Sequence, residues 1–171
     1  TGAKIEAYAD SNIAGFVYDN NSGANITNSF ANIEPVSKSA FMAGFVFKNN
    51  SGASISQCYS ACTFANANRD TSLQITPEQP FVGADATGLY SNGELENCYW
   101  YKDASQSFIV FTDDDKPQAT GLDASNFKNP NNLVNFVFVQ SNSKADRDQG
   151  IWSYYNNQNV AVKLPELNIT N

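Results

Sequence analysis

Apolar and polar positions alternate with a two-residue period over much of the first hundred residues. Ile26, Asn28 and Phe30 stand against Thr27 and Ser29, and Ile55, Gln57 and Tyr59 stand against Ser56 and Cys58 in the same order. That is the period of a half-buried strand, whose successive side chains point to opposite faces. Asn-Asn-Ser-Gly, twice, and Ser-Asn-Gly, once, punctuate these stretches, as expected where a turn needs left-handed backbone angles or an Asx hydrogen bond. A helical stripe is suggested only between Asp123 and Val134.

The pattern recurs. AGFVYDNNSGANITNSF from Ala14 returns as AGFVFKNNSGASISQCY from Ala43, with Gly15 mapping onto Gly44, Asn21 onto Asn50 and Ile26 onto Ile55 at a spacing of 29 residues. A looser third copy, FVGADATGLYSNGELENCYW, runs from Phe81 to Trp100, with insertions around Asn66 to Gln79 and Ala84 to Tyr90. A fixed period of roughly 20–50 residues marks an array in which each unit buries its apolar face only against its neighbour. Short strands with turns at the same place in each unit predict an all-β fold, a parallel β-helix solenoid with an irregular C-terminal capping region. Asn20 over Asn49 and Asn21 over Asn50 would form side-chain ladders, with Phe16, Phe45 and Phe81 stacked inside.

One domain is expected across 1–171. Residues 1–100 hold the coil, with two regular rungs to about residue 65 and an enlarged third to residue 100, and 101–171 form the terminal capping segment. Ile109 to Phe111 and Phe136 to Val139 are strand candidates in that segment. Asp123 is a candidate N-cap for a short helix that Pro130 halts. The end before the first copy is expected to be open and to continue into further rungs of a longer parent chain.

Gly-Phe-Val, then Asn-Ser-Gly, then Ile-x-x-Cys/Ser-Tyr/Phe resembles the GLUG repeat of large bacterial surface proteins, including IgA-specific metallopeptidases and filamentous-haemagglutinin-like adhesins. Asn97-Cys98-Tyr99-Trp100, Thr120-Gly121-Leu122, Trp152 and Leu164-Pro165-Glu166-Leu167 are similar to the segment that closes such arrays. The chain departs from that pattern with Tyr101 where an Asp is usual and with the insertion Phe108 to Pro117. The resemblance implies a place at the C-terminal end of a repeat array. It implies a stalk or scaffold role, because in those proteins the repeats are not the catalytic domains.

Composition narrows the chemistry. The 171 residues are 42% hydrophobic, enough to bury one core. The formal charge of −7 and pI near 4.4, with ten scattered basic residues, remove the counterion release that drives nucleic-acid binding. No apolar run is long enough to span a bilayer, so no membrane insertion is expected. Beginning at Thr1 without a signal peptide, the chain reads as an excised or mature fragment. Its wealth of Asn, Ser, Thr and Tyr suits an exported protein, bacterial and either displayed on the cell surface or secreted.

The absence of histidine excludes a Ser-His-Asp or Cys-His nucleophile, a His-Glu-x-x-His metal site and a histidine general base. Cys58 and Cys98 share one repeat position, where the first copy has Ser29, and are read either as small residues in a ladder or as disulfide partners. Cys62 would be left over or would replace one of them. The Cys58-x-x-x-Cys62 spacing, with no further ligands, does not make a zinc site. Asp113, Asp114 and Asp115 before Lys116-Pro117 read as a solvated turn, with a cation site as the alternative. Glu94 and Glu96 project together from one strand and read as an outer-face pair. Trp100 and Trp152 are read as covers for the end of the coil, with glycan contact as the alternative for these and for Tyr90, Tyr101, Tyr154 and Tyr155.

The expectation for function is a non-enzymatic extracellular module of a bacterial cell-surface adhesin, with no cofactor, acting as a stalk or as a surface for a host glycan or matrix protein. The alternatives are a carbohydrate-active β-helix enzyme, lyase or glycoside hydrolase, working through paired carboxylates, and the scaffold part of a secreted peptidase.

Overall fold

Each copy of the repeat folds as a set of short strands broken at the same places. The computed structural model describes residues 3–6, 12–36, 41–64, 78–85, 88–102, 115–139, 150, 152–155 and 161–167. A lead strand β1 (Ala3–Glu6) precedes the first copy, which holds β2 (Ile13–Ala14), β3 (Val17–Asn20), β4 (Asn25–Thr27) and β5 (Phe30–Ala31) and runs on into β6 (Ile33–Val36). The second copy holds β7 (Met42–Ala43), β8 (Val46–Asn49), β9 (Ser54–Ser56) and β10 (Tyr59–Ser60). The third holds β11 (Glu78–Gln79), β12 (Ala84–Asp85), β13 (Gly88–Leu89), β14 (Glu94–Glu96) and β15 (Tyr99–Tyr101). Beyond it come β16 (Thr120–Leu122), β17 (Trp152–Tyr155) and β18 (Ala161–Leu167).

Equivalent strands pair in parallel: β2 with β7 with β11, β3 with β8, β4 with β9 with β14, and β5 with β10 with β15. The register matches motif to motif, with Val17 opposite Val46, Ile26 opposite Ile55 opposite Leu95, and Phe30 opposite Tyr59 opposite Tyr99. β1 pairs in parallel with β6, and β16 adds a further parallel strand to β15. Among the described residues, only β12 with β13 and β17 with β18 run antiparallel. Helix among the described residues is limited to α1 (Ala124–Phe127) and a 3-10 turn at Pro130–Asn132. The chain is all-β, and its pairing is mainly parallel.

Local chemistry sets the breaks. Asn28, Gln57 and Asn97 occupy one repeat position and all take left-handed angles, with φ of 47°, 49° and 52°, a conformation more natural to Asn than to Gln. The next residue anchors each corner: Ser29 Oγ, Cys58 Sγ and Cys98 Sγ donate to the carbonyls of Thr27, Ser56 and Glu96 at 2.9, 3.1 and 3.5 Å. The single alternating strand expected from Ile26 to Phe30 is therefore two strands, β4 and β5, meeting at a bend. The bend turns Cys58 and Cys98 inward with Ile55 instead of leaving them on the opposite side. Gly23 and Gly52, at φ of 82° and 78°, close the Asn-Asn-Ser-Gly turns, in which the Ala24 and Ala53 amides donate to Asn21 and Asn50. Gly15 and Gly44 serve close approach instead: a Cβ on Gly15 would strike the Gly44 carbonyl, and one on Gly44 the Pro80 carbonyl.

The buried side chains form two clusters. One lies within the stacked copies and contains Phe45, Val46, Ile55, Cys58, Phe81 and Cys98. The other lies on the opposite face of the β5–β10–β15–β16 sheet, where Phe30, Tyr59 and Tyr99 meet Phe127, Leu133, Phe136 and Trp152. Trp152 was expected to cover the end of the coil. It is instead fully buried on this flank, its ring 5.6 Å from Tyr59 and 4.8 Å from Phe136, and its indole N–H donates to Asn28 of the first copy at 3.3 Å. The Tyr59 hydroxyl donates to the Pro165 carbonyl and Tyr99 accepts the Val134 amide at 3.0 Å, so the terminal segment grips all three copies from the side.

Within that segment Asp123 caps α1 through the Asn126 amide at 2.9 Å, and the helix ends before Pro130, as the sequence predicts. Phe136 to Val139 is not a strand: Asn135 is left-handed at φ 63°, and Phe138 makes a single bridge to Trp152. Ile109, Val110 and Phe111 lie outside the described residues, as do Asp113, Asp114 and most of the 66–79 insertion.

Candidate functional site

The third copy departs from the other two, and its departures frame a small cleft. Val82 stands opposite Val46 and Ser91 opposite Asn49. The 84–90 insertion enters between them as the antiparallel pair β12–β13, closed by the Tyr90 amide donating to the Gly83 carbonyl at 2.9 Å. Ala84 and Leu89, paired across the hairpin, are buried in the core. The third turn is also shorter. Ser91 aligns with Asn49 and Glu94 with Ser54, so Ser-Asn-Gly omits the Ser-Gly pair of the earlier turns.

Residues 115–122 then close this end. Lys116 donates through Nζ to the Leu89 carbonyl at 2.5 Å, the Ser91 hydroxyl donates to the Pro117 carbonyl, and β16 lies on β15 with Gly121 beneath the Trp100 ring. Trp100 is half-buried and packs on the inner core, so it covers the end of the stack as expected. Between these parts lies a small open cleft, lined chiefly by Gln79, Phe81, Leu89, Trp100, Pro117 and Ala119. Its described lining offers apolar surface beside the amides of Gln79 and Gln118 and holds no acid, base or nucleophile.

Of the carboxylates singled out from the sequence, the described ones, Glu94, Glu96 and Asp115, do not line it. Glu94 and Glu96 are exposed on β14 while Leu95 between them packs on the core, and Glu96 accepts a hydrogen bond from Asn97 at 3.2 Å. They continue outer rows that begin with Asn25, Ser54 and with Thr27, Ser56; Ser54 donates to Asn25 at 2.6 Å. Asp115 is exposed in a turn. Among the described residues no three His, Cys, Asp or Glu side chains cluster to hold a metal ion.

Cys58, Cys62 and Cys98 are free thiols, which favours the ladder reading over a disulfide. Burial is the main cause that pushes Cys58 and Cys98 up to about 12, and it raises Cys62 as well. All three donate to backbone carbonyls: Cys62 to Gly44 at 3.0 Å, Cys98 also to Ile55 at 3.4 Å. A protonated, buried thiol is a poor nucleophile.

The opposite end of the stack carries aromatics that sequence reading placed inside. Phe16, Phe45 and Phe81 do stack, with centroids 5.0 and 4.8 Å apart, but Phe16 is 48% exposed where Phe45 is 0%. Tyr18 stacks on Phe47 at 5.1 Å and is 42% exposed, whereas Phe47 is 1% exposed and also meets Tyr90 at 5.6 Å. Lys48 holds its ammonium 5.7 Å from the Tyr18 ring centre and 5.4 Å from that of Tyr90. The signal was present in the sequence, since position 18 matches position 47, but only the stack shows which copy lacks a neighbour.

Both Asn ladders form. Asn20 Nδ2 donates to Asn49 Oδ1 at 2.9 Å and Asn50 Nδ2 to Asn21 Oδ1 at 3.1 Å. Asn49 donates onward to the Glu94 carbonyl at 3.3 Å. No helix among the described residues is long and apolar enough to cross a membrane. No family model, curated protein or solved structure matches the chain.

Proposed function

We propose that the chain is a parallel β-helical module that acts as a non-enzymatic scaffold or binding surface on the outside of a bacterial cell, in the manner of the adhesin repeats its motif resembles. The observation that carries the reading is the shared register: four sets of equivalent strands pair in parallel, and a buried Asn of one copy bonds its equivalent in the next at 2.9 Å. Copies stacked in this way form a rod whose length grows with copy number, and that geometry suits projection or display. The exposed outer rows of Asn25, Ser54, Glu94 and Thr27, Ser56, Glu96 offer a polar side that a host glycan or matrix protein could meet.

The enzymatic alternative needs two carboxylates facing a common groove. The described lining of the cleft holds no carboxylate, and Glu94 and Glu96 lie on an open strand face. The test is release of reducing or unsaturated ends from a panel of neutral and acidic polysaccharides, run beside binding to glycan and matrix-protein arrays. Background turnover, unchanged in Glu94→Ala and Glu96→Ala, is the expected result. Turnover that either substitution abolishes would sink the scaffold reading.

A further inference from the structure

We infer that the edge of the first copy, which no described strand pairs, is a docking site for an extended polypeptide segment of the pattern Gly-aromatic-Val-aromatic-x-Asn, bound parallel to β3. This rests on the stacked-copy reading above and needs no surface ligand of any other kind. Among the described residues β2, β3, β4 and β5 each pair on one side only, the side of the second copy. Phe16 and Tyr18 lie nearly parallel to the rings of Phe45 and Phe47, at 6° and 4°, so their free faces look out along the stack.

A second observation comes from Asn20, which is 2% exposed. Its amide donates to Asn49 Oδ1 at 2.9 Å and to the Ser54 carbonyl at 3.3 Å, yet among the described residues no donor reaches its own Oδ1. A buried acceptor left unmet is unfavourable, because folding removes its water without supplying a partner. The ladder itself specifies what would meet it, an Asn side-chain amide arriving in the register by which Asn20 meets Asn49.

The rest of the pattern follows from the same interface. A Cβ on Gly15 would strike the Gly44 carbonyl, so a residue arriving over Gly15 must in turn be glycine, or its Cβ would strike the Gly15 carbonyl. Asp19 stands opposite Lys48, so a cation is the matching residue at the variable position. A second copy of this chain does not supply such a segment. Its far end carries Pro80 where the pattern needs glycine and Ser91 where it needs asparagine, with β16 paired on β15, and its first-copy edge can meet another only head to head, with strands antiparallel and the motif out of register.

The probe is a monomeric synthetic peptide with the sequence of residues 42–54, MAGFVFKNNSGAS, titrated into the full isotopically labelled chain and followed by amide NMR. The expected result is saturable one-to-one binding, with shifts confined to residues facing the edge in β2, β3 and β4. A peptide carrying Gly44→Ala, and separately a chain carrying Phe16→Ala and Tyr18→Ser with unchanged circular dichroism, should each bind at least about ten-fold more weakly.

Absence of saturable shifts up to about 1 mM peptide, or equal binding of the alanine peptide, overturns the inference. So does concentration-dependent dimerisation of the chain that Phe16→Ala removes, which would assign the edge to a second copy. The side-chain contact between Asn20 and Asn49 in the free chain, read from the same sample, separates the two claims. If it persists, only docking has failed; if it is missing, the stacked-copy reading has failed as well.

Discussion

The second and third copies of the repeat begin alike and end differently. Phe45 and Phe81 stack at 4.8 Å, Ile55 faces Leu95, and both copies bend at a left-handed residue, Gln57 or Asn97. The second copy then hands every strand edge to the third. The third hands few onward: Ser91 replaces the ladder Asn and bonds Pro117, the hairpin turns Leu89 into the core, and Trp100 lies over Gly121. Perfect repetition cannot end itself, because each identical copy leaves the same edges open. The third copy breaks the period at these residues, while the first copy, which keeps the motif intact, has Phe16 and Tyr18 exposed.

The largest test of this contrast is truncation of equivalent aromatics. Phe45→Ala, between two stacked rings, should lower unfolding free energy by about 3–5 kcal/mol in denaturant titration, and Leu89→Ala at the closed end by about 2–4. Phe16→Ala, half exposed at the open edge, should cost less than about 1 kcal/mol. Equal losses at Phe16 and Phe45 would mean that the first copy is covered after all.

The Asn ladder gives a smaller effect. Asn49→Ala leaves the Asn20 amide short of its partner, and a loss of about 1–3 kcal/mol is expected in the same titration. Asn50→Ala, in the exposed outer ladder, should cost under about 0.5 kcal/mol.

The thiols separate the copies by pH. Cys58 and Cys98 hold their protons up to about 12 when folded, against an ordinary value of 9.0, so from pH 9 upward the unfolded chain loses protons that the folded chain keeps. Stability should therefore fall as pH rises above 9, by up to about 1.4 kcal/mol per unit for each thiol. Cys62 and Tyr99, also raised by burial, act in the same direction. The first copy has Ser29 at this position, and Cys58→Ser with Cys98→Ser should flatten much of the alkaline limb of a stability-against-pH curve. A curve unchanged by both substitutions would contradict the inward placement of these side chains.

The smallest expected effect is at the bend. Gln57 takes φ 49° where the other copies use Asn, so Gln57→Gly should raise stability by up to about 1 kcal/mol. The same change at Asn28 should be neutral or harmful, because it also removes the acceptor of the Trp152 indole.

Much of this architecture could be read before the fold was known, and the reasons are specific. Asn20 and Asn49, or Phe16 and Phe45, recur at one spacing with one neighbour set, and identical side chains at a fixed period can satisfy each other only by stacking. The corner was hidden because Gln57 does not advertise a left-handed backbone, so Ile26 to Phe30 looked like one strand and Cys58 looked outward. The flank was hidden for a different reason. Trp152 reaches Asn28 across 124 residues, and a contact made once leaves no periodic trace. The end bearing the cleft was half legible: Trp100 marked it, but an insertion that folds inward through Leu89 has the same sequence signature as one that loops into solvent. The carboxylates of Glu94 and Glu96 were placed correctly by strand period alone.

The stacking register is the centre of this account, and cross-linking tests it most directly. In a chain whose native cysteines are replaced by serine, Asp19→Cys with Lys48→Cys puts two thiols on residues paired across adjacent parallel strands, within the Cα separation a disulfide accepts. Mild oxidation should join this pair within the monomer and raise thermal stability, while the pair Asp19→Cys with Asn50→Cys, two residues out of register, should remain largely reduced. Equal cross-linking of both pairs, or of neither, would contradict the parallel stack.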